Sequence, residues 1–482
     1  MPHVVTQSCC SDASCTVACP VNCIHPGPTT DEFGAAEMVY IDPLACVDCG
    51  ACVTACPVDA IKPHTALLPG ELPFLEVNAR HFAESPHADR PVLAAVPHRR
   101  ATPHGLRLRV AVVGSGPAGL YTADELLRRP GVTVDVFEKL DRPHGLARYG
   151  VAPDHQRTRQ IADLFAVIER QKGFRYRLGV EVGKDVSLAA LERDYDAVVH
   201  AVGASTDRRL DIAGEDLPGS VSATSVVGWY NGHPDHVGLP VDLSHERVVV
   251  VGNGNVALDV ARILTADPET LASTSLDRAA LTALRDSQVR EVVVLGRRGP
   301  LDAAFTLPEL LGLAALEDVD VLVDAAGLDI DESTQKGRVL AELAAREPRE
   351  GRRRIVLRFG AAPRAILGAE RVEAVEVERR VPTADGWSAT GEVERIACGM
   401  VLRSIGYRGL PIDGLPFDEA TGTVPHERGR VRPGHYVVGW IKRGPTGFLG
   451  TNKSCAQETV ETLIGDLIAA STPARTREPL PA

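Results

Sequence analysis

Nine of the eleven cysteines fall before residue 57, and their spacing suits iron rather than disulfides. Cys46, Cys49, Cys52 and Cys56, followed by Pro57, form CxxCxxCxxxCP. Three thiolates on one tight loop can face a single cubane, while the fourth, before proline, turns away to ligate the other cluster of a two-cluster module. The earlier run "CCSDASCTVACP" supplies Cys9, Cys15 and Cys19 before Pro20, with Asp12 where a second cysteine would stand. Crossing the fourth ligands assigns Cys46, Cys49, Cys52 and Cys19 to one 4Fe-4S cluster and leaves Cys9, Cys15 and Cys56 for the other. Three thiolates suffice for a 3Fe-4S cluster, the preferred reading; an Asp12 carboxylate reaching inward would instead ligate a fourth iron. A zinc ribbon also uses paired CxxC units, but seven cysteines with two Cys-Pro endings disfavour it. Cys10, Cys23, Cys398 and Cys455 fall outside the pattern and read as packing residues.

A second chemistry lies in two glycine turns. Gly114, Gly116 and Gly119 form GxGxxG directly after the strand-like Val110 to Val113 and before a helical pattern. Glu138 ends the next strand about 20 residues on, where a ribose diol needs a carboxylate. Further along, "RVVVVGNGNVALDVARIL" carries Gly252, Gly254 and then Ala257, and the following clear strand, "EVVVLGRR", ends in Arg297 and Arg298. Two guanidiniums in place of a carboxylate favour a 2'-phosphate, hence NADP over NAD. The acidic first turn then suits FAD. Residues 265–289 lengthen the separation between the second turn and its arginines.

These groups need elements to hold them. Each glycine turn joins a β-branched strand to an amphipathic helix, so the chain carries two nucleotide-binding α/β units. From Ser85 to Gly105 four prolines and three histidines interrupt any apolar period, which reads as an extended tether and a domain boundary. Low-complexity segments and repeats of 20 to 50 residues are not evident. The length of 482 residues fits about three domains. A net charge of −12 argues against a nucleic-acid binder. No run of about 18 apolar residues suggests a membrane span, and the start lacks the order of a secretory signal; a cytoplasmic protein is expected. Residues 1–66 hold seven acidic residues against Lys62 alone, so an acidic module is expected to dock on basic groups, with Arg157, Arg159, Lys442 and Arg443 as candidates.

Residues 1–84 resemble the seven-iron ferredoxins of bacterial type, in "CTVACPVNCIHPG", "CVDCGACVTACPVDAI" and "LPFLEVNARHFAE", with the compact CxxDxxC form of the first run. Residues 107 to about 470 resemble the adrenodoxin reductase type of ferredoxin–NADP reductase: "VAVVGSGPAGLYTA", "HGLARYGVAPDH", "GNGNVALDVARIL", "GRRGPLDAAFTLPEL", "SIGY" and "GWIKRGPTGFLGTNK" occur in family order. The resemblance implies a multidomain protein in which an α+β ferredoxin-like domain precedes a Rossmann-like flavoprotein. Its divisions would be a ferredoxin at 1–84, a linker at 85–106, an FAD domain at 107–207 and 404–470 with an NADP domain, 208–403, inserted, and a tail at 471–482. Ala118, Glu138, Leu146, Val182, Trp440 and Gly447, Phe448 and Leu449 would line the FAD site beside Gly114, Gly116 and Gly119. Asn253, Gly254, Asn255, Val256, Arg297, Arg298, Glu309 and Gly447 would meet NADP.

In this family the counterpart of His155 lies near the nicotinamide end of the flavin, implying positioning or proton management, with Trp440 at the flavin edge. The family carries a glutamate three residues after Glu309, where this sequence has Gly312. That departure puts a relay through such a glutamate in doubt. The implied activity is NADPH–ferredoxin oxidoreduction: a hydride from NADPH to FAD, then single electrons to the fused clusters and on to a protein acceptor such as a cytochrome P450 or an external ferredoxin. The alternatives are a flavoprotein reducing a small organic substrate, as in the glutamate synthase small subunit, and a non-enzymatic iron-sulfur carrier.

Overall fold

The computed structural model describes residues 2–86, 91, 93–96, 99–103, 105 and 107–471. In the first domain, strand His3–Val5 pairs antiparallel with Ile61–Pro63, and Ile24–His25 with Tyr40–Ile41. Two five-residue helices, Ser14–Ala18 and Ala51–Ala55, each follow a cysteine loop, and the longer helix Pro73–Glu84 closes the core. Asn78 on that helix ties the parts together. Its Oδ1 accepts from the amides of Val5 at 3.3 Å and Ile41 at 2.9 Å, and its Nδ2 donates to the carbonyls of Val5 and Phe74.

The first domain is an internal repeat in backbone and in side chains. Left-handed residues occur at Ser11, Ala13 and Asn22 in the first half and at Asp48, Gly50 and Asp59 in the second, at one constant offset that also relates Cys9 to Cys46, Cys15 to Cys52, Cys19 to Cys56 and Asp12 to Cys49. The expectation of no repeat is therefore corrected. Besides the ligands and the turns that aim them, Ala18, Pro20, Val21, Ile24 and Pro26 recur as Ala55, Pro57, Val58, Ile61 and Pro63, while the residues between them differ.

Two six-stranded sheets form the remainder. One runs Arg430–Arg432, His435–Val437, Ala197–His200, Leu108–Val113, Val132–Glu138 and Phe174–Leu178, parallel apart from its first strand. The other, all parallel, runs Ser220–Ser222, Met400–Arg403, Arg247–Val251, Glu291–Leu295, Arg353–Arg358 and Val319–Asp324. The central strands are continuous apolar runs because helices cover both faces of a parallel sheet. The chain leaves the first sheet at Thr206–Asp207 and returns at Tyr407–Arg408, and these two short strands pair antiparallel. A three-stranded antiparallel sheet, Ala361–Leu367, Ala374–Thr383 and Gly386–Ala397, is appended to the second unit. Residues 265–289 form two short helices, Pro268–Leu271 and Arg278–Arg285, before the strand Glu291–Leu295. Among the described residues no helix is long and apolar enough to cross a membrane.

The linker reading at 85–106 falls partly outside the described residues, as do residues 472–482 of the tail. The described linker residues lie against folded parts: the Pro91 carbonyl accepts from Asn22 Nδ2 at 2.5 Å, Arg99 pairs with Glu125 at 2.7 Å, and the Arg100 amide donates to Glu461. The cores also join. Cys10, Val58 and Ala60 pack in the same apolar cluster as Leu120 and Tyr121, and Leu311 packs into the ferredoxin-like core. Asn78→Ala would leave buried backbone groups of three elements unpaired and should destabilise the first domain by about 3 kcal/mol. A lower denaturation midpoint, followed through the visible absorbance of bound iron, checks this; an unchanged midpoint contradicts it.

Candidate functional site

The seven predicted cysteine ligands divide into two cavities. Cys9, Cys15 and Cys56 line one together with Ser11, Asp12, Val58 and Ile61. Cys19, Cys46, Cys49 and Cys52 line another, with His3, Cys23 and Ile41. The fourth cysteine of each run thus reaches the cavity of the other run. A left-handed residue at each turn aims the thiols inward. Burial pushes the Cys9 and Cys52 thiols up to about 11 and raises Cys15 and Cys56, with neighbouring thiolates adding to it. Cys19 is instead lowered to about 6, chiefly by its hydrogen bond with Cys23, 3.4 Å away. Crowded, buried thiols of this kind are stable as thiolates only with cations among them, so the donor set fits iron. Asp12 borders the first cavity; its Oδ2 bonds to Tyr121 and Lys453 outside it, and its Oδ1 accepts from the amide of Ser14, which lines it.

At the first glycine turn, Gly114 has φ +106°, and a Cβ there would lie 2.5 Å from the Ala201 carbonyl oxygen. Gly116 caps the helix Pro117–Leu127, whose N-terminus offers amides to a pyrophosphate. Gly119 lets that helix lie on the strand, since a Cβ would meet the Gly114 oxygen at 2.0 Å. Glu138 is buried; Oε2 accepts from the Ser115 amide at 3.1 Å and hydroxyl at 2.5 Å, and Oε1 from the Leu140 amide at 3.0 Å. Ala118 abuts Gly439, the residue before Trp440. Trp440 opens the short helix Trp440–Arg443, donates Nε1–H to the Thr446 carbonyl at 3.2 Å and packs on Tyr407 with ring centroids 5.0 Å apart. Gly447, Phe448 and Leu449 follow, and Thr451 Oγ1 accepts from the Phe448 amide at 2.9 Å. Leu146 begins the helix Leu146–Tyr149 in the loop after Glu138, and Val182 packs behind Phe137 at the edge of this sheet.

The second turn repeats the construction. Gly252 has φ +108°, with the Ser404 carbonyl oxygen 2.2 Å from a Cβ placed there, and Gly254 caps the helix Asn255–Thr265. Asn253 and Asn255 brace the opposite loop: the Asn253 carbonyl accepts from the Phe305 amide at 2.8 Å and Asn255 Oδ1 from the Thr306 amide at 2.8 Å. Val256 is half-buried on the same helix. Arg297 and Arg298 are exposed beyond the strand Glu291–Leu295, Arg298 3.6 Å from Asp302.

His155 and Glu309 meet in a charged cluster that the sequence reading did not assemble. Arg262 lies at its centre and is buried. Its Nε and Nη2 hold Asp154 at 2.6 and 3.1 Å, and Nη2 also lies 2.7 Å from Asp259 and from His155 Nε2. His155 Nε2 stands 3.8 Å from both Asp259 and Glu309. Burial raises the Glu309 carboxyl, with Asp259 adding to it and His155 and Arg262 opposing. Asp154 belongs to the first sheet's domain and Arg262 to the second's, so this cluster sets their relative position. The only sequence signal was Asp259 and Arg262, three apart on an otherwise apolar helix.

The ferredoxin-like domain reaches the same place. Gln7 Nε2 donates to Glu309 Oε2 at 3.3 Å and fills the space beside Gly312, where a Cβ would lie 2.2 Å from it. Among the described residues, Arg157 alone of the four basic candidates for docking is in contact, 3.1 Å from Glu71. Arg159 bonds to the Arg148 carbonyl, Lys442 is buried against Glu458, and Arg443 holds Asn452. Arg338 and Lys453 act in their stead, at 2.9 Å from Glu76 and 3.1 Å from Asp12, while Glu37 accepts from the Leu307 amide at 2.7 Å. Residue type alone could not show which cations their own domain had already neutralised.

Two sheets with matched glycine turns, joined to a cysteine-lined module, define an oxidoreductase of the two-dinucleotide class with an iron-sulfur unit of its own. Residues 108–296 match the family profile of pyridine nucleotide-disulphide oxidoreductases, and residues 39–62 that of the 4Fe-4S binding domain. The chain is 52% identical to a probable ferredoxin/ferredoxin–NADP reductase of Mycobacterium tuberculosis, over 97% of this chain and 84% of that protein. It is 41% identical to the human mitochondrial NADPH:adrenodoxin oxidoreductase, over 77% of this chain and 81% of that protein. The structure of Mycobacterium tuberculosis FprA in complex with NADPH superposes with a TM-score of 0.73 at 47% identity, covering 76% of this chain and 86% of that one. The chain belongs to the ferredoxin/ferredoxin–NADP reductase family.

Crossed ligation makes a swap-sensitive prediction. Cys56→Ala should abolish the cluster of the Cys9 and Cys15 cavity and spare the other, and Cys19→Ala should do the reverse. EPR and Mössbauer spectra of the two variants decide it; the opposite pairing of losses would mean that each run keeps its own fourth cysteine.

Proposed function

We propose that this chain is an NADPH–ferredoxin oxidoreductase that serves its own fused ferredoxin, in the cytoplasm, with a protein such as a cytochrome P450 or an external ferredoxin as final acceptor. The first sheet's domain, 107–207 with 404–470, would bind FAD, and the inserted unit, 208–403, NADPH. When bound, FAD supplies the conversion of a two-electron hydride into single electrons, and the clusters, one 4Fe-4S and one 3Fe-4S, supply one-electron carriers. The observation that carries this reading is the packing of the Cys9 to Ser14 loop against Gly450, one residue after the proposed flavin-lining Gly447 to Leu449.

The chain's own residues have separable tasks. The helix N-termini after Gly116 and Gly254 would each receive a pyrophosphate. Arg297 and Arg298, exposed and close together, would clamp the 2'-phosphate through charge-assisted bonds. Trp440, fixed by Thr446 and Tyr407, would wall the nicotinamide end and exclude water. His155 is held by Arg262 in an orientation that faces Glu309, which suits it to position the nicotinamide or to carry a proton at Nε2. Gly312 offers no carboxylate to extend that path, and the space beside it holds Gln7.

An anaerobic titration tests the reading: NADPH should bleach flavin absorbance near 450 nm and then iron-sulfur absorbance, as a hydride-accepting flavin coupled to one-electron carriers requires, and no bleaching would refute it. Replacing Arg297 and Arg298 together by Ala should raise KM for NADPH roughly 10- to 100-fold with kcat little changed and leave NADH kinetics alone. An equal effect on both nucleotides would place the arginines elsewhere.

A further inference from the structure

Asp12 stands where the second run has Cys49, yet its side chain faces the flavoprotein. Oδ2 accepts from the Tyr121 hydroxyl at 3.2 Å and from Lys453 Nζ at 3.1 Å, and Oδ1 accepts from the Ser14 amide at 3.1 Å. Lys453 also donates to Ser14 Oγ at 2.6 Å. Asp12 is 5% exposed and Tyr121 3%. Through Oδ2 the buried carboxylate is tied to an ammonium and a hydroxyl of the flavoprotein, and turning that oxygen toward an iron would strand both partners.

The backbone enforces the same geometry. The Gly450 amide donates to the Cys10 carbonyl at 2.7 Å, and a Cβ on Gly450 would lie 2.1 Å from the Asp12 nitrogen. Cys9 and Cys56 pack against the apolar core that holds Leu120 and Tyr121. Both cavities are lined by first-domain residues alone, but Val47 and Cys49 at the Cys19 cavity are exposed, whereas Cys9 and Cys56 are half-buried and Cys15 is buried.

Building on the function proposed above, we infer that Asp12 is a positioning residue rather than an iron ligand. It docks the Cys9, Cys15 and Cys56 site onto the flavoprotein, and electrons arrive there before they reach the Cys19, Cys46, Cys49 and Cys52 site. The balance is simple: each NADPH gives up one hydride and becomes NADP⁺, the two electrons cross singly, each adding one negative charge to the receiving site, and the remaining proton goes to solvent.

The test uses full-length holoprotein in four forms: wild type, Asp12→Asn, Lys453→Gln and the double variant. Each is mixed anaerobically with NADPH, frozen at increasing times for EPR, and analysed for iron. Oxidised wild type and Asp12→Asn should show the same paramagnetic three-iron signal and equal iron. Each single variant should lose that signal about 10-fold more slowly than wild type after flavin bleaching, and the double variant should be no slower than the slower single one. Lys453→Gln should bleach its flavin at the wild-type rate, so that absence of bleaching in wild type would tell against the function and not against the docking. An oxidised wild type that is EPR-silent and loses one iron in Asp12→Asn would make Asp12 a ligand and overturn the inference. Unchanged transfer in Lys453→Gln, or a four-iron signal that grows first, would overturn it too. Should Asp12→Asn fail to assemble, Lys453→Gln leaves the iron loop intact and carries the kinetic test alone.

Discussion

The Gly450 amide donates to the Cys10 carbonyl across a junction with no room for a side chain, and this contact fixes the iron-sulfur loop to the flavoprotein. Around it the partners are of two kinds. Apolar residues, Cys10, Val58 and Ala60 on one side and Leu120 on the other, merge into one core; burial of this kind supplies most of the adhesion, at about 25 cal/mol per Å². Ion pairs at the edge, such as Glu71 with Arg157 and Glu76 with Arg338, are partly exposed and contribute at most about 1 kcal/mol each, so they set register more than strength. The first domain therefore sits on the reductase as a packed part rather than a tethered one.

The two dinucleotide units show how little sequence is needed to fix such a site. In each, a glycine with φ above +100° turns beneath a carbonyl from the end of a neighbouring strand, Ala201 in one and Ser404 in the other. That carbonyl leaves no space for a Cβ, and the turn delivers the next helix end-on to the site. The units then meet at Arg262, whose buried guanidinium spans Asp154, Asp259 and His155. A charge so enclosed is stable only with all its carboxylates in place, which makes it a lock between the domains. Gln7 brings the third domain to the same point through Glu309.

Local motifs were legible because their spacing is set by covalent geometry. The cysteine runs and the glycine turns could be read from order alone, which also made Glu138, Arg297 and Arg298 candidates, and the division of Cys19 and Cys56 between the two cavities followed from the prolines after them. The repeat in the first domain was written in the sequence, in Ala18 to Val21 and Ala55 to Val58, but was passed over because each half is short; the matching backbone angles at Ser11, Ala13 and Asn22 make it plain. The docking surface was not legible. Lys442 and Arg443 are basic in sequence, but Glu458 and Asn452 already satisfy them, whereas Lys453 and Arg338 keep a free direction toward the acidic module. Long-range polar partners are chosen by the fold, and the residues that chose them, Asp154, Asp259 and Arg262, carry no motif.

The central claim is that electrons pass from flavin to iron within one chain. Stopped-flow spectroscopy measures it most directly, by following flavin and cluster absorbance after anaerobic mixing with excess NADPH over a range of protein concentrations. A docked module predicts that cluster bleaching follows flavin reduction with a first-order rate constant independent of protein concentration. A rate constant that rises in proportion to protein concentration would mean that electrons cross between molecules and would contradict the account.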